Sequence, residues 1–217
     1  MVILAFADAQ EGAYSVAFPA MRARGVRGVA YVNVEPIVLG QAGRLTAEQL
    51  DELNAAGWDI ASHGYTHTDP TALTAQQLDD NLREAHQWLL DRGYSRGARH
   101  YGPPSNDCDQ RVMDAALQYY QTVWCRQYSH LPAGYQYGVG ACGNNTEWSR
   151  LQQAFDKLAG QPGRVLRCTF HGLVPAQPTG NQGDLARVNQ ILDYLAAKQI
   201  RVVTLSDLLD GTVQALP

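Results

Sequence analysis

The chain has 217 residues and a formal net charge of −4, with 45% hydrophobic and 18% charged residues. This length and composition predict one globular domain over residues 1–217 and exclude a disordered or fibrous chain. No cluster of Lys and Arg occurs and no apolar run approaches about 20 residues, so we expect neither a nucleic-acid partner nor a membrane-spanning helix. The chain begins directly in strand-like sequence, which predicts no signal peptide. An extracytoplasmic location is expected only for a processed or excised domain.

The first half of the chain alternates short apolar runs with amphipathic segments. Strands are predicted at 1–6, 28–34, 57–61 and 98–101, and helices at 13–24, 46–56 and 74–92. Two of these helices begin with the spacing of a capping box, at Thr46 with Gln49 and at Thr74 with Gln77. Gly25, Gly57 and Gly93 follow the three helices, as glycine commonly does at a helix end.

The second half continues the alternation after a turn at 102–106. Helices are predicted at 109–120, 146–158 and 185–198, strands at 122–125, 165–170 and 201–205, and a final helical turn is capped by Ser206. The segment 128–145 is rich in Gly, Tyr and Pro without periodicity, which indicates a long loop over the mouth of the fold. Strands alternating with helices predict parallel strands and crossover helices. About seven such units favour an α/β fold with a closed or nearly closed barrel.

Two histidines four residues apart, His63 and His67, are the most chemically specific feature of the sequence. They follow the strand predicted at 57–61, so both lie in the loop at its carboxyl end, where α/β folds keep their chemistry. Neutral imidazoles bind zinc and similar metals, and a catalytic site usually has three protein ligands. Asp8, at the carboxyl end of the first strand, is the candidate third ligand. The alternative interpretation is that the histidines are ordinary polar loop residues.

The four cysteines, Cys108, Cys125, Cys142 and Cys168, lack the close spacing of a metal-binding motif. Buried thiols are the first interpretation in a domain of this size. If the protein works outside the cell, a disulfide between Cys125 and Cys142 is the expected pairing.

Six segments together resemble a known family, and they occur in the family's order over nearly the whole chain. They are Phe6-Ala7-Asp8-Ala9, Ala17-Phe18-Pro19, 45–50, 57–67 with the paired histidines, Phe170-His171-Gly172 and 200–205. In this order they resemble the polysaccharide deacetylase family, whose domain is called the NodB homology domain.

The resemblance implies a distorted (β/α) barrel of about seven parallel strands. It also implies one divalent metal held by Asp8, His63 and His67, with zinc expected first and cobalt or nickel as alternatives. In that family the metal activates water for attack on an acetyl carbonyl, and a histidine matching His171 protonates the leaving amine or alkoxide. A polar cap on the strand end is the alternative interpretation of His171. Pro104, Trp124 and Leu173 match positions expected to bind substrate.

Two departures from the family pattern stand out. The family has Phe-Asp-Asp-Gly in its first motif, with the first aspartate as general base, whereas Ala7 stands at that position and Ala9 replaces the glycine. The segment 102–106 also lacks the arginine that orients the base in many members. Three explanations of Ala7 stay open: an engineered inactive variant, a natural pseudoenzyme, or another base such as Glu11 or Asp107.

The expected function is a metal-dependent deacetylase whose partner is an N- or O-acetylated carbohydrate. The aromatic residues Trp124, Tyr128, Tyr135 and Tyr137 are candidates for stacking on sugar rings. A catalytically silent carbohydrate-binding domain and an amidohydrolase acting on a small C–N substrate are the alternatives.

Overall fold

The computed structural model describes residues 1–126, 129–137, 141–158, 160–161 and 163–212. Its centre is one mostly parallel sheet. The strands are β1 (Val2–Phe6), β2 (Val29–Val32), β3 (Asp59–Ser62), β4 (His100–Tyr101), β5 (Thr122–Trp124), β6 (Ser129–His130), β7 (Gln136–Tyr137), β8 (Ala141–Cys142) and β9 (Arg164–Phe170). They lie in the order β6-β5-β4-β3-β2-β1-β9-β7, and β8 also pairs with β9. The sheet curls into a distorted (β/α) barrel, which confirms the predicted fold class.

Helices connect the strands and cover the convex face of the sheet. A π-helical turn (Ala13–Ala17) continues as α1 (Phe18–Arg22), and the others are α2 (Val34–Val38), α3 (Ala47–Ala55), α4 (Ala75–Asp91), α5 (Gln110–Ala116), α6 (Trp148–Asp156), α7 (Leu185–Ala197) and α8 (Leu205–Leu209). Both predicted capping boxes are present, at Thr46 with Gln49 and at Thr74 with Gln77. A second small sheet pairs β10 (Leu173–Val174) with β11 (Gly183–Asp184). Among the described helices, none is long and apolar enough to cross a membrane.

Alternation along β1 divides the core into two parts. Val2, Leu4 and Phe6 belong to the cluster between the sheet and the helices, whereas Ile3 and Ala5 belong to the cluster inside the curl. Because side chains alternate between the faces of a strand, the next position, Ala7, continues the inward-facing row. Its side chain is buried.

The structure corrects several predicted boundaries. The predicted loop 128–145 contains β6, β7 and β8, which pair with the edges of β5 and β9; strands of two residues are too short to produce a periodic pattern. The predicted strand 201–205 makes only a single bridge, between Val2 and Val202. Thr204, rather than Ser206, caps α8 by accepting from the Asp207 N–H. The short helix α2 was not predicted, because it follows β2 with one intervening residue.

The interpretation of the cysteines as buried thiols is wrong for Cys108 and Cys125, which form a disulfide with each other, and the alternative pairing of Cys125 with Cys142 is wrong for the same reason. Cys108 lies just before α5 and Cys125 just after β5, and the fold brings their Cα atoms to 6.2 Å. The bond ties the loop after β4 to the end of β5. Cys168 is buried in β9, and the side chain of Cys142 is outside the described residues.

The end of α7 carries an unusual residue for its backbone conformation. The backbone N–H of Gln199 donates to the Ala196 carbonyl, and the backbone N–H of Ile200 donates to the Leu195 carbonyl. This is the pattern of a Schellman motif. Gln199 is exposed and has φ +54°, a left-handed conformation that costs a non-glycine residue roughly 1–2 kcal/mol. Gly93 occupies the equivalent position after α4, with φ +79° and open space where a methyl group would lie.

We therefore expect Gln199→Gly to raise the free energy of unfolding by about 0.5–1 kcal/mol, because the relief of backbone strain exceeds the added entropy of the unfolded chain. Gly93→Ala is the matched control and should lower it by a similar amount. Urea denaturation of both variants measures the effect, and a Gln199→Gly variant less stable than the parent would contradict it.

His100 is fully buried between the hydroxyls of Thr122 and Ser206. Burial lowers the pKa of His100 to about 3. The folded protein thus holds the neutral ring while the unfolded chain gains a proton below about pH 6.5. Stability from this group is present above that pH and is lost as the pH falls towards the folded pKa.

The parent should accordingly lose up to about 1.4 kcal/mol more per pH unit between about pH 6 and 4 than a His100→Gln variant, which cannot titrate. Urea titrations at several pH values measure this difference. His130→Gln, at an exposed histidine, serves as the control. Equal pH slopes for the parent and His100→Gln would refute the assignment.

Candidate metal and catalytic site

Four polar residues lie at the carboxyl edge of the curled sheet. Asp8 follows β1, His63 and His67 follow β3, and His171 follows β9. Strands β3, β2, β1 and β9 are consecutive parallel neighbours, so their carboxyl ends open on the same edge. Sequence positions more than 160 residues apart thereby reach one mouth.

Three of these residues direct their ligand atoms towards one point. The Asp8 Oδ1 atom is 3.2 Å from the His63 Nε2 atom and 3.0 Å from the His67 Nε2 atom. All three atoms lie within 4.8 Å of one another. Ligands at bond lengths of about 2.0–2.2 Å around a tetrahedral ion are about 3.3 Å apart, so this spacing suits a zinc-sized cation.

The tautomer of His63 strengthens that fit. The His63 Nδ1 atom forms a hydrogen bond with the Gly102 carbonyl, which can only accept, so Nδ1 carries the proton. The ring is buried, and burial lowers the pKa of His63, which favours its neutral form. Its Nε2 lone pair then faces a carboxylate oxygen, and two acceptors at 3.2 Å require a cation or a proton between them. The donor set therefore fits a divalent metal.

The protonation states of the other two ligands follow from their contact. Burial acts to raise the pKa of Asp8, but the contacts of its carboxylate with the imidazoles of His63 and His67 and the charge of His171 outweigh burial and hold that pKa far below its ordinary value. The hydrogen bond with Asp8 raises the pKa of His67. A metal therefore competes with a proton at His67, and it meets a carboxylate that is already ionised.

The backbone turns sharply where it presents Asp8. Asp8 and Ala9 have φ values of +64° and +50°, two successive left-handed residues. This explains why glycine suits position 9, since alanine there costs roughly 1–2 kcal/mol. Arg44 secures the turn by donating from Nη1 to the Asp8 carbonyl at 2.5 Å, and the Leu45 N–H donates to the Ala9 carbonyl at 2.8 Å.

Two asparagines hold the loop that carries the histidines. The buried Asn33 side chain donates to the carbonyls of His63 at 2.7 Å and Thr66 at 3.3 Å. The Asn81 side chain accepts from the Tyr65 N–H and donates to the Thr66 hydroxyl. Both ends of the loop are therefore fixed by groups outside it, which keeps the two rings in register with Asp8.

His171 is exposed beside this group, and its charge is among those that lower the pKa of Asp8. Its backbone N–H donates to the Asn144 side chain at 3.2 Å. The buried Asn144 also donates to the carbonyls of Gly172 and Asn181, so it fixes the loop behind His171.

The predicted substrate residues are mostly buried. Pro104 and Leu173 are buried, and Leu173 packs in the core cluster on the convex side of the sheet. Trp124 has no exposed surface and its ring packs against Arg167, which contradicts the expected stacking of its indole on a sugar. Tyr135 is half-buried against the inner cluster. Tyr128 and the Tyr137 side chain are outside the described residues.

Sequence reasoning missed Asn33, Arg44, Asn81 and Asn144, which support the candidate ligands without being ligands themselves. Asn33 carried one usable signal, a polar residue directly after a buried strand. The other three come from a loop, a helix and the segment after β8, and only folding brings them to the site.

Comparison with known proteins gives a consistent result. A family model described as polysaccharide deacetylase matches residues 1–124. A family 4 carbohydrate esterase from Streptomyces lividans, solved with acetate, is 21% identical over 91% of this chain and 88% of its own, with a TM-score of 0.63. A family 4 acetyl xylan esterase from Clostridium thermocellum, solved with a cobalt ion, is 12% identical over 97% of this chain and 90% of its own, with a TM-score of 0.65.

A pseudoenzyme of the same esterase family from Bacillus anthracis is 16% identical, with a TM-score of 0.66 over 97% of this chain and 65% of its own. At these identities the solved structures show a shared fold. No curated protein matches the chain.

We expect the protein to bind one zinc ion, and binding to raise its free energy of unfolding by about 2.7 kcal/mol at a free zinc concentration 100 times the Kd. Isothermal titration gives the stoichiometry, and thermal unfolding with and without zinc gives the stabilisation. His67→Ala is the informative variant, because this half-exposed ring is removed without opening the core.

Loss of one ligand should weaken zinc binding by more than about 10²-fold, since even a partner that only supports a ligand is worth about 10–100-fold. His130→Ala, which removes an exposed histidine elsewhere, should bind zinc like the parent. Equal zinc affinity for the parent and His67→Ala would rule the site out.

Proposed function

The chain belongs to the polysaccharide deacetylase family, and from that premise we propose that it is built as a metal-dependent hydrolase that removes acetyl groups from a carbohydrate. Its metal ligands are Asp8, His63 and His67, and its general acid is His171. Ala7 occupies the position of the general base, so this chain turns over slowly.

One observation carries the proposal: the Nε2 atom of the buried His63, whose Nδ1 atom is bonded to the Gly102 carbonyl, lies 3.2 Å from the Asp8 Oδ1 atom. That arrangement is costly unless a cation lies there. When bound, a divalent metal polarises the acetyl carbonyl and lowers the pKa of water. Zinc fits the imidazole-rich ligand set, and cobalt and nickel are the alternatives.

The residues of this chain provide orientation and proton transfer. His63 is held through its Nδ1–H by the Gly102 carbonyl, and its loop is held by Asn33, so the ligand geometry is set before substrate arrives. His171 is exposed at the mouth, where an imidazole can hand a proton to a leaving amine or alkoxide. Asn144 keeps the His171 backbone in place.

Ala7 leaves the site without a carboxylate at the point where the family has its base. Glu11 is a poor substitute, because its carboxylate is engaged by the hydroxyl of Ser15 at 2.8 Å and the amide of Gln49 at 3.5 Å. Asp107 lies in the loop after β4 and remains the other candidate base. The second candidate function is therefore a silent carbohydrate-binding domain; Ala7 favours it, and one of the structures similar in fold is a pseudoenzyme.

We expect Ala7→Asp to raise acetate release by about 10²–10⁴-fold, the usual contribution of a general base. Acetate is measured enzymatically after incubation with N-acetylated chitooligosaccharides and with O-acetylated xylan, at equal metal content. Ala133→Asp, which adds a carboxylate at an exposed position, is the matched control and should leave the rate unchanged.

Combining Ala7→Asp with His67→Ala should abolish the gain, because the restored base has no metal to work with. If Ala7→Asp leaves an already fast parent unchanged, another residue is the base. If both are inert on each substrate while they bind zinc and oligosaccharide, the binding-domain function replaces the deacetylase.

A further inference from the structure

A buried arginine lies inside the curl of the sheet. Arg167 is on β9, between Val165, which belongs to the inner core cluster, and Thr169, which pairs with Ala5 of β1. Alternation therefore places Arg167 on the same concave face as Ile3 and Ala5. Its residue exposure is only 7%.

The surroundings of this guanidinium are neutral. Arg167 donates from Nη1 to the Trp124 carbonyl at 3.1 Å and from Nη2 to the Asn106 side-chain oxygen at 2.5 Å. Its Cζ atom lies 5.1 Å from the Trp124 ring centroid and 5.6 Å from that of Tyr31. The Arg167 Nε–H is buried and has no hydrogen-bond partner in the part of the chain that the structure describes. Within the described ranges, no carboxylate lies within the 4.0 Å of an ion pair with Arg167.

Such an arrangement is incomplete on physical grounds. A buried charge is strongly destabilising unless an opposite charge and hydrogen bonds compensate it. Two neutral acceptors and two aromatic rings compensate only part of that penalty. The carboxylate of Asp8 contacts His63 and His67. Among the described residues, the guanidinium thus lacks an anion on the side that faces the inner mouth.

Position 7 faces the same interior as that guanidinium. Phe6 pairs with Ala30, so Ala7 is level with Tyr31 on the adjacent strand, and the Arg167 guanidinium packs over the Tyr31 ring. Ala7 itself is small, buried and in the inward-facing row. A carboxylate in place of its methyl group projects towards the space in front of Tyr31.

A side chain at position 102, in the loop after β4, has no access to this space. A Cβ atom built on Gly102 comes within 2.7 Å of the Tyr31 ring, so Tyr31 fills the volume that a side chain at position 102 would take. Arg167 approaches the same ring from the opposite flank of the sheet, on β9. A guanidinium therefore reaches the Tyr31 ring in this chain, but it comes from β9 and not from the loop after β4.

We propose that Arg167 is the positioning residue for the general base, pairing with a carboxylate at position 7 and holding it towards the metal. The proposal rests on the proposed function for its catalytic meaning. The charge pairing itself does not depend on it. With Ala7 in place, this chain keeps half of an ion pair.

A double-mutant cycle in urea tests the pairing without any assay of activity. Ala7→Asp should keep or raise the urea midpoint of the parent, because the new carboxylate meets Arg167. In an Arg167→Met background the same Ala7→Asp change should lower the midpoint, and the two shifts should differ by about 1 M or more, since a buried carboxylate without a counter-ion is costly. Arg167→Lys, which keeps the charge, should restore part of the difference.

Arg187→Met is the matched control, because Arg187 also lies over an aromatic ring, that of Trp148 on the outer surface. Its effect should add to that of Ala7→Asp without coupling. Equal shifts from Ala7→Asp in the Arg167 and Met backgrounds would overturn the pairing. If Arg167→Met does not fold, a crystal structure of the Ala7→Asp variant decides: a carboxylate within 4 Å of the guanidinium supports the proposal, and one turned away refutes it.

Steady-state kinetics of the same variants test the catalytic role of Arg167. In the Ala7→Asp background, Arg167→Met should lower kcat by about 10–10²-fold with little change in KM. The reason is that the base loses its orientation, whereas the contacts of the protein with the substrate stay the same. Arg167→Lys should recover part of kcat. A rise in KM alone would refute the positioning role. Absence of turnover in every variant, with the urea coupling intact, would count against the proposed function and leave the ion pair standing.

Discussion

The contact of Asp8 with the two histidines is the constraint around which the mouth of this fold is arranged. It places a carboxylate oxygen about 3 Å from each of two imidazole nitrogens, at the ends of strands that are distant in sequence. The buried His63 ring has its proton on the far side, at the Gly102 carbonyl, so the close approach is stable only with a cation or a proton at its centre. The surrounding hydrogen bonds serve to preserve that approach.

Preserving it requires local strain. Asp8 and Ala9 are both left-handed, and the energy needed to hold them comes from contacts outside the turn: the Arg44 guanidinium on the Asp8 carbonyl and the Leu45 N–H on the Ala9 carbonyl. Asn33 holds the loop that carries the histidines in the same way, by donating to the His63 carbonyl. The site is thus pre-organised by neutral amides and one arginine, so these supporting groups add no negative charge beside the ligands.

Inside the curl of the sheet, the positive charge of Arg167 is not balanced by a carboxylate among the described residues, and Ala7 faces the same interior. Arg167 is a buried cation with neutral acceptors, and position 7 is a small apolar residue in the row that faces the same interior. A chain that had wholly abandoned carboxylate chemistry at this position would be expected to replace the arginine with an apolar residue, since a buried unpaired charge destabilises the fold. In the proposed pairing, a carboxylate at position 7 supplies the counter-charge that this guanidinium lacks among the described residues.

The sequence by itself determined the strand–helix alternation, the two capping boxes, the glycine helix ends and the clustering of Asp8, His63 and His67 at strand ends, because each depends on local spacing or on the period of apolar residues. The tertiary structure decided what depends on contacts between distant segments. It paired Cys108 with Cys125, added β6, β7 and β8 to strand edges, buried Trp124, and brought Arg167 into the interior against the rings of Trp124 and Tyr31. None of these has a periodic signal, since a two-residue strand, a disulfide partner and the direction of a buried arginine are all set by which surfaces the curled sheet brings together.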